Sequence, residues 1–300
     1  MTIGWRKAMH ESVDQASGIR KMRQIKAKPV RVIAVTSGKG GVGKTNLSVN
    51  LGVALSQMGR RVALLDADMG LANVDILLGL SPEYNLSHVL QGKKTLQEIM
   101  LTGPAGLKVI PASSGVQQMS ELSSVEQAGV IRAFSEIDQS LDVLIVDTAA
   151  GISSSVVNFA RACQEIIVVV CDEPTSLTDA YAYIKLLNRD YGLNKFHVVA
   201  NMVQSTQQGQ QLFNKLTKVT DKYLDVSLSY TGAVPFDDYL RRSVQKQSPV
   251  LEAFPRSKAA LAMRNLARTI DGWPIKIQAG GYLEFFVERM IEYSTQEDAA

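Results

Sequence analysis

The chain has 300 residues, 46% of them hydrophobic and 20% charged, with a formal net charge of +3. That is the composition of an ordinary soluble globular protein, and it excludes collagen-like, low-complexity and disordered classes. No apolar run approaches the ~20 residues that span a bilayer, and no signal-peptide core opens the chain. The two cysteines form no CxxC pair, which fits a reducing cytosol and disfavours a disulfide scaffold or a cysteine metal site.

In chain order, residues 1–31 come first, with eight Lys/Arg against two acids, so a basic arm precedes a mildly acidic body. Residues 1–28 lack a core-forming pattern and read as a flexible extension with one helical segment, Glu11 to Lys26. From Val30 onward, apolar runs predict strands over Val32–Thr36, Val62–Asp66, Leu107–Pro111, Val143–Asp147, Ile166–Cys171, His197–Asn201 and Leu228–Val234. Helical patterns lie between most of them: Lys44–Met58, Ser124–Gln139, Ser154–Cys163, Leu177–Asp190 and Gly209–Tyr223. Continuously apolar strands separated by helices imply an α/β fold, a mostly parallel twisted sheet covered by helices on both faces. Right-handed crossovers then gather the carboxyl ends of the strands on one edge.

The first strand runs into Gly38-Lys39-Gly40-Gly41-Val42-Gly43-Lys44-Thr45, and a helix follows from Asn46. Strand, glycine-rich turn and helix start make a phosphate cradle. Small glycines let backbone N–H groups converge on an anion. Lys44 neutralises the β/γ-phosphates and the Thr45 hydroxyl ligates Mg²⁺ in such a loop. A second lysine, Lys39, has no role in that scheme. The second strand ends in Asp66-Ala67-Asp68, whose carboxylates point the same way beside the loop. Four apolar residues followed by Asp147 make a Walker B arrangement, and Thr148-Ala149-Ala150-Gly151 after it can approach a γ-phosphate closely. These three motifs together predict a phosphate-loop nucleoside triphosphatase.

After Trp273-Pro274 and Gly280-Gly281, the residues Leu283, Phe286, Val287, Met290 and Ile291 fall on one helical face opposite Glu284, Glu288 and Glu292. Such a helix can dock on its own domain, on a partner or on a membrane. The expected organisation is an arm (1–28), an ATPase domain (29–274) and a helical tail (275–300). Cys163 and Cys171 read as buried small hydrophobes, and His10, His88 and His197 give no metal triad.

Lys39 through Thr45 resembles the deviant Walker A motif of the MinD/ParA class of phosphate-loop ATPases. Leu64 to Asp75 resembles the switch I segment of that class. Asp147 to Ile152 resembles its switch II, with Ala149 where proline is usual. The similarity extends over roughly residues 30–270. It implies an ATP-dependent homodimer with both nucleotides sandwiched, in which Lys39 reaches the partner's phosphates. It also implies that Gly38 through Asn46 bind ATP or ADP, that Lys39, Lys44 and Asp68 act in hydrolysis, and that Asp68 orients the attacking water. Thr45, Asp66 and Asp147 hold Mg²⁺ on this resemblance, while Asn201 reads the adenine and Pro235-Phe236 pack on it.

Asp14-Gln15-Ala16-Ser17-Gly18-Ile19-Arg20 resembles the DQAxxLR element of the FlhG/FleN family of flagellar-number regulators, with Ile19 in place of leucine. There Asp14, Gln15 and Arg20 would engage an FlhF-type SRP GTPase. The other partners implied are the C-ring proteins FliM and FliN and a flagellar transcriptional activator. The implied location is cytoplasmic, peripheral to the inner membrane at a cell pole. The tail's glutamates oppose anionic lipid, whereas Tyr282, Phe285 and Phe286 offer aromatic insertion. The alternative is a ParA/MinD-type partition or division-site ATPase acting through DNA or membrane. The net-acidic body disfavours direct DNA binding.

Overall fold

The computed structural model describes residues 29–68, 73–111, 124–138, 140–274 and 283–297. The expectations placed on the arm, including Asp14, Gln15 and Arg20, lie outside them. Eight strands form one sheet: β1 (Arg31–Ser37), β2 (Val62–Ala67), β3 (Leu101–Thr102), β4 (Lys108–Pro111), β5 (Val143–Ala150), β6 (Glu165–Val170), β7 (Lys195–Val203) and β8 (Ser227–Pro235). Their spatial order is β3-β4-β2-β5-β1-β6-β7-β8, and only the short β3 runs antiparallel to its neighbour. All seven expected strands are present, most of them extended by a residue or more at their ends.

The larger helices are α1 (Lys44–Gln57), α5 (Ser124–Asp138), α6 (Ser154–Ala162), α7 (Pro174–Tyr191), α8 (Thr206–Tyr223), α11 (Lys258–Asp271) and α12 (Leu283–Glu297). Short helices α2 (Val74–Leu78), α3 (Leu86–Leu90), α4 (Leu96–Ile99), α9 (Asp238–Gln245) and α10 (Val250–Ala253) complete the described set. The strands are buried on both faces because successive side chains alternate. Ile33, Leu64, Ile145 and Val199 face one way and pack under α1, α10 and α11. Val32, Ala34, Leu65, Leu144 and Val146 face the other way, under α3–α6 and α12. Further along that second face, Ile166, Val168 and Val198 lie under α6–α8.

Two of the larger helices add to the sequence expectation. Helix α11 was not anticipated, yet its pattern is regular: Ser257 caps it by accepting from the Ala260 N–H, and Ala259, Met263, Leu266, Ala267 and Ile270 form its buried stripe. For α12, the structure selects one of the three open docking places. Leu283, Phe286, Val287, Met290 and Ile291 are all buried against the chain's own domain, beside Phe134 and Ile137 of α5 and Phe159 of α6. Arg161 lies between the rings of Tyr191 and Tyr293, 4.1 and 3.7 Å from their centroids, and adds a cation–π clamp over that helix. In this arrangement the five apolar residues are covered and present no face to a lipid surface.

At the opposite end of the strands from the glycine-rich loop, Arg31 crosses beneath the sheet. Its guanidinium donates to the Ile270 carbonyl at 2.7 Å and to the Trp273 carbonyl at 2.6 Å. The Trp273 indole stacks on His197, which contacts Glu165 at 3.0 Å. These contacts fix where the chain leaves α11.

Candidate functional site

The carboxyl ends of β1, β2 and β5 converge on the turn between β1 and α1. Gly41 (φ 80°) and Gly43 (φ 86°) take the left-handed conformation that curls this turn. Gly38 is required for a different reason: a Cβ there would collide with the backbone of Asp179, because α7 passes directly over the loop. The hydroxyl of Ser37 donates to the Lys39 carbonyl at 2.6 Å, and the Gly151 N–H donates to the Ser37 carbonyl at 3.0 Å. The segment after Asp147 is thereby tied to the start of the loop.

Asp66 and Asp147 are side-by-side register partners on β2 and β5. Both are buried. The Ser48 hydroxyl donates to Asp147 Oδ1 at 2.7 Å, whereas Asp147 Oδ2 is buried with no hydrogen-bond partner. Burial pushes the Asp147 carboxyl up to about 6, against the opposing pull of the Ser48 and Thr45 hydroxyls and of Lys44. Asp66 is pushed up to about 7, first by burial and then by the charge of Asp147. Its oxygens accept the Asp68 and Val74 N–H groups, each at 3.3 Å. Asp66 therefore spans the loop that carries Asp68. Lys44 is 8% exposed, and desolvation lowers its pKa while Asp147 and Asp68 raise it. A buried cation and two buried carboxylates on one sheet edge form a site whose charges lack full compensation.

An orphaned carboxylate oxygen beside a hydroxyl is a hard-oxygen donor set of the kind Mg²⁺ takes. Among the described residues no group of three or more His, Cys, Asp or Glu could hold a metal alone. That is the usual condition for Mg²⁺, which one or two carboxylates hold together with water and a substrate phosphate. Thr45, Asp66 and Asp147 fit that description.

Lys39 lies apart from the cradle. Its ammonium donates to Glu173 at 2.6 Å and to the Thr175 hydroxyl at 3.0 Å, both at the start of α7, and the Glu173 bond raises its pKa. At the other side of the loop, Asn201 Nδ2 donates to the Val42 carbonyl at 2.7 Å, and Asn201 Oδ1 is buried and unpartnered. Asn201 thus braces the loop and keeps one acceptor open. Met202 beside it has φ 57°, a strained value for a non-glycine residue. Phe236 is 57% exposed and its N–H donates to the Val203 carbonyl at 2.8 Å. Asp237 then caps α9 at the Tyr239 N–H and accepts from Ala259 at the head of α11, each at 2.9 Å.

Sequence reasoning missed Ser48, Glu173 and Thr175. Ser48 had a signal: it lies four residues after Lys44 on one face of α1. Glu173 and Thr175 had none, since they meet Lys39 only through tertiary structure. Both cysteines are buried thiols as expected.

A ParA model described as NUBPL iron-transfer P-loop NTPase matches residues 28–271. The antiactivator FleN of Pseudomonas aeruginosa is 60% identical over 88% of this chain and 95% of that protein. The flagellum site-determining protein YlxH of Helicobacter pylori is 32% identical over 88% of this chain and 90% of its own. Among solved structures, the septum site-determining protein MinD complexed with Mg-ADP from Pyrococcus horikoshii superposes with a TM-score of 0.64 at 25% identity. The match covers 81% of this chain and 96% of that one.

Proposed function

The chain belongs to the ParA family of P-loop NTPases, a family of ATPases that includes MinD-like and FleN-like proteins, and on that premise we propose that it is a slow ATP-driven switch governing flagellar number and placement. The observation that carries the ATPase reading is Asp147: wholly buried, one oxygen held by Ser48, the other unpartnered beside Lys44. The flagellar reading rests on the relative at 60% identity, set against 31% for the MinD septum proteins.

The residues divide the work as follows. The loop from Gly38 to Asn46 wraps the triphosphate with backbone N–H groups, and the α1 amino terminus adds its positive end. Lys44 neutralises the bridging phosphates from a buried position, where its charge acts at low dielectric. Thr45, Asp66 and Asp147 would hold Mg²⁺, which would supply charge stabilisation at the transferring phosphoryl group. Asp68 orients water. Asp66 accepts the N–H groups on either side of the Asp68 loop, so it couples the metal site to that loop's position. Asn201 Oδ1 accepts from the adenine amino group, and Pro235 and Phe236 cover the base. In the dimer Lys39 exchanges Glu173 for the partner subunit's phosphates.

On this reading ATP closes a homodimer and hydrolysis reopens it, so the nucleotide selects which surface partners meet. The partners are an FlhF-type GTPase through Asp14, Gln15 and Arg20, the C-ring proteins FliM and FliN, and a flagellar transcriptional activator that the protein restrains. The location is cytoplasmic, peripheral to the inner membrane at a pole. No helix among the described residues is long and apolar enough to cross a membrane. Iron transfer is disfavoured because Cys163 and Cys171 are both buried.

The test is size-exclusion chromatography with light scattering in Mg-ATP. Asp68→Ala should remain an ATP-bound dimer with turnover reduced by about a hundredfold. Lys39→Ala should bind ATP and stay monomeric. A monomeric Asp68→Ala, or a Lys39→Ala that dimerises normally, rejects these roles.

A further inference from the structure

Helix α1 sends one side chain across to the carboxylates of the sheet. Along β5, Val143, Ile145 and Asp147 share a face, because side chains alternate on a strand, and the two apolar residues pack in the cluster that α1 covers. Helix α1 meets that cluster with Leu47, Leu51 and Leu55, and Ser48 lies among them fully buried. Asn50, also buried on α1, spends its amide on the helix itself and donates to the Asn46 carbonyl at 2.8 Å. Ser48 instead reaches Asp147 Oδ1 at 2.7 Å, across 99 positions of sequence.

The direction of that bond follows from the acceptors within reach. A hydroxyl carries one proton, and both Asp147 Oδ1 and the Lys44 carbonyl, at 3.1 Å, could take it. The carboxylate is nearer, and an ionised acceptor makes the stronger bond. The Lys44 carbonyl has the helical N–H four residues on as its regular partner. The proton of Ser48 therefore goes to Asp147.

This bond orients the Asp147 carboxylate. The last torsion of an aspartate is broad and roughly two-fold, so the backbone of β5 places the carboxyl group without fixing its plane. Ser48 engages Oδ1 and leaves Oδ2, buried and unpartnered, as the open oxygen. The Thr45 hydroxyl also pulls on this carboxylate. Thr45 lies at the start of α1, however, and is itself a candidate ligand, whereas Ser48 lies a turn deeper and is 0% exposed.

We propose that Ser48 is a positioning residue for the divalent cation: it holds Asp147 so that Oδ2 stays free for the cation and its bound water. The proposal rests on the phosphate-loop reading above and names the side chain that sets the metal affinity of that site. Without the hydroxyl, both carboxylate oxygens lack a partner from α1, and the cation has to order the group as it binds. Hydrogen-bond partners of a metal-site carboxylate typically contribute about tenfold to a hundredfold in metal affinity. A packing role predicts something else. Alanine differs from serine by one oxygen and is the best helix former, so Ser48→Ala leaves α1 and its apolar contacts in place.

The test is the affinity of the full chain for N-methylanthraniloyl-ADP, read by fluorescence in EDTA and through a Mg²⁺ titration, with thermal melts to confirm folding. Ser48→Ala should bind in EDTA as the wild type does, while the Mg²⁺ concentration for half of the metal-dependent gain rises about tenfold. In an Asp147→Asn background the same change should move that concentration by less than about twofold, because a residue acting through Asp147 has nothing left to orient. An unchanged Mg²⁺ half-saturation in folded Ser48→Ala overturns the proposal. So does a loss of affinity that is equal in EDTA and in Mg²⁺, which marks damage to the loop, and so does a shift that persists in the Asp147→Asn background. If the wild type gains no affinity from Mg²⁺, the metal site fails and the proposal falls with it. If wild type and Ser48→Ala gain affinity identically, the metal site stands and only the role of Ser48 is lost.

Discussion

At the amino-terminal ends of the central strands, the charged groups are matched, although His197 Nδ1 is buried without a partner. Arg31 is tied to two carbonyls, Glu165 to His197, and Gln164 Nε2 to the Val30 carbonyl at 3.0 Å. At the carboxyl ends they are not: Asp147 Oδ2 and Asn201 Oδ1 lack partners, and Asp66 lies beside a second carboxylate. The two ends share strands and burial, and differ in how fully their charged groups are hydrogen-bonded from within. A filled set is a structural clamp, since removing one partner exposes the desolvation cost of the other. An unfilled set leaves donors and acceptors open for a ligand, which is what the proposed nucleotide site requires.

Three substitutions test that division, from the largest effect to the smallest. Lys44→Ala, at the unfilled end, should lower ATP affinity by about a hundredfold to a thousandfold in isothermal titration. Normal affinity would remove the phosphate site from this edge. Arg31→Ala, at the filled end, should cost about 2–4 kcal/mol in urea unfolding, because the Ile270 and Trp273 carbonyls lose a charged donor. The surviving folded fraction should bind ATP as the wild type does. If it does not, the two ends are coupled and the division fails.

Asp147→Asn should have the smallest effect, and it acts in the opposite direction. Asp147 and Asp66 are pushed up to about 6 and about 7 in the folded chain, above the unfolded value of about 3.9. The folded state therefore holds these protons more tightly than the unfolded state does. Stability from the pair is fully present below the unfolded value and is lost as pH rises through the folded values. The nucleotide-free chain should thus gain about 1–3 kcal/mol between pH 8 and pH 5. Asp147→Asn should be more stable than the wild type at pH 8 and show a smaller gain on acidification. A variant with the wild-type slope would mean that Asp147 is not a buried charge.

The sequence made the fold legible because its signals were local. Apolar runs bounded by helical stretches located every strand from β1 to β8 except the two-residue β3, whose length leaves no periodicity to read. The phosphate loop was legible because glycine spacing, strand and helix adjoin in the chain. Asp66 and Asp147 were legible as strand-end carboxylates, but their pairing was not, since 81 positions separate them and only the β2–β5 register sets them side by side. Lys39 shows the same limit. Its oddity was visible, while Glu173, which holds it, came from a different βα connection. Asn201 is expected at the base, and what the structure shows it doing is bracing the Val42 carbonyl, a contact no local pattern announces.

Helix α12 has a consequence for how the molecule is made. It completes one of the three apolar clusters, yet a nascent chain has already produced the other described elements before Leu283 emerges. Until then Phe134, Ile137 and Phe159 have no cover on that side, and the half-built protein carries a greasy face that other chains can stick to. On the opposite face α1 supplies cover directly after β1, and α10 and α11 complete it before α12 is made. The same molecule can therefore be sturdy when finished and vulnerable while it is being made, with the period of risk set by the time taken to translate a single helix.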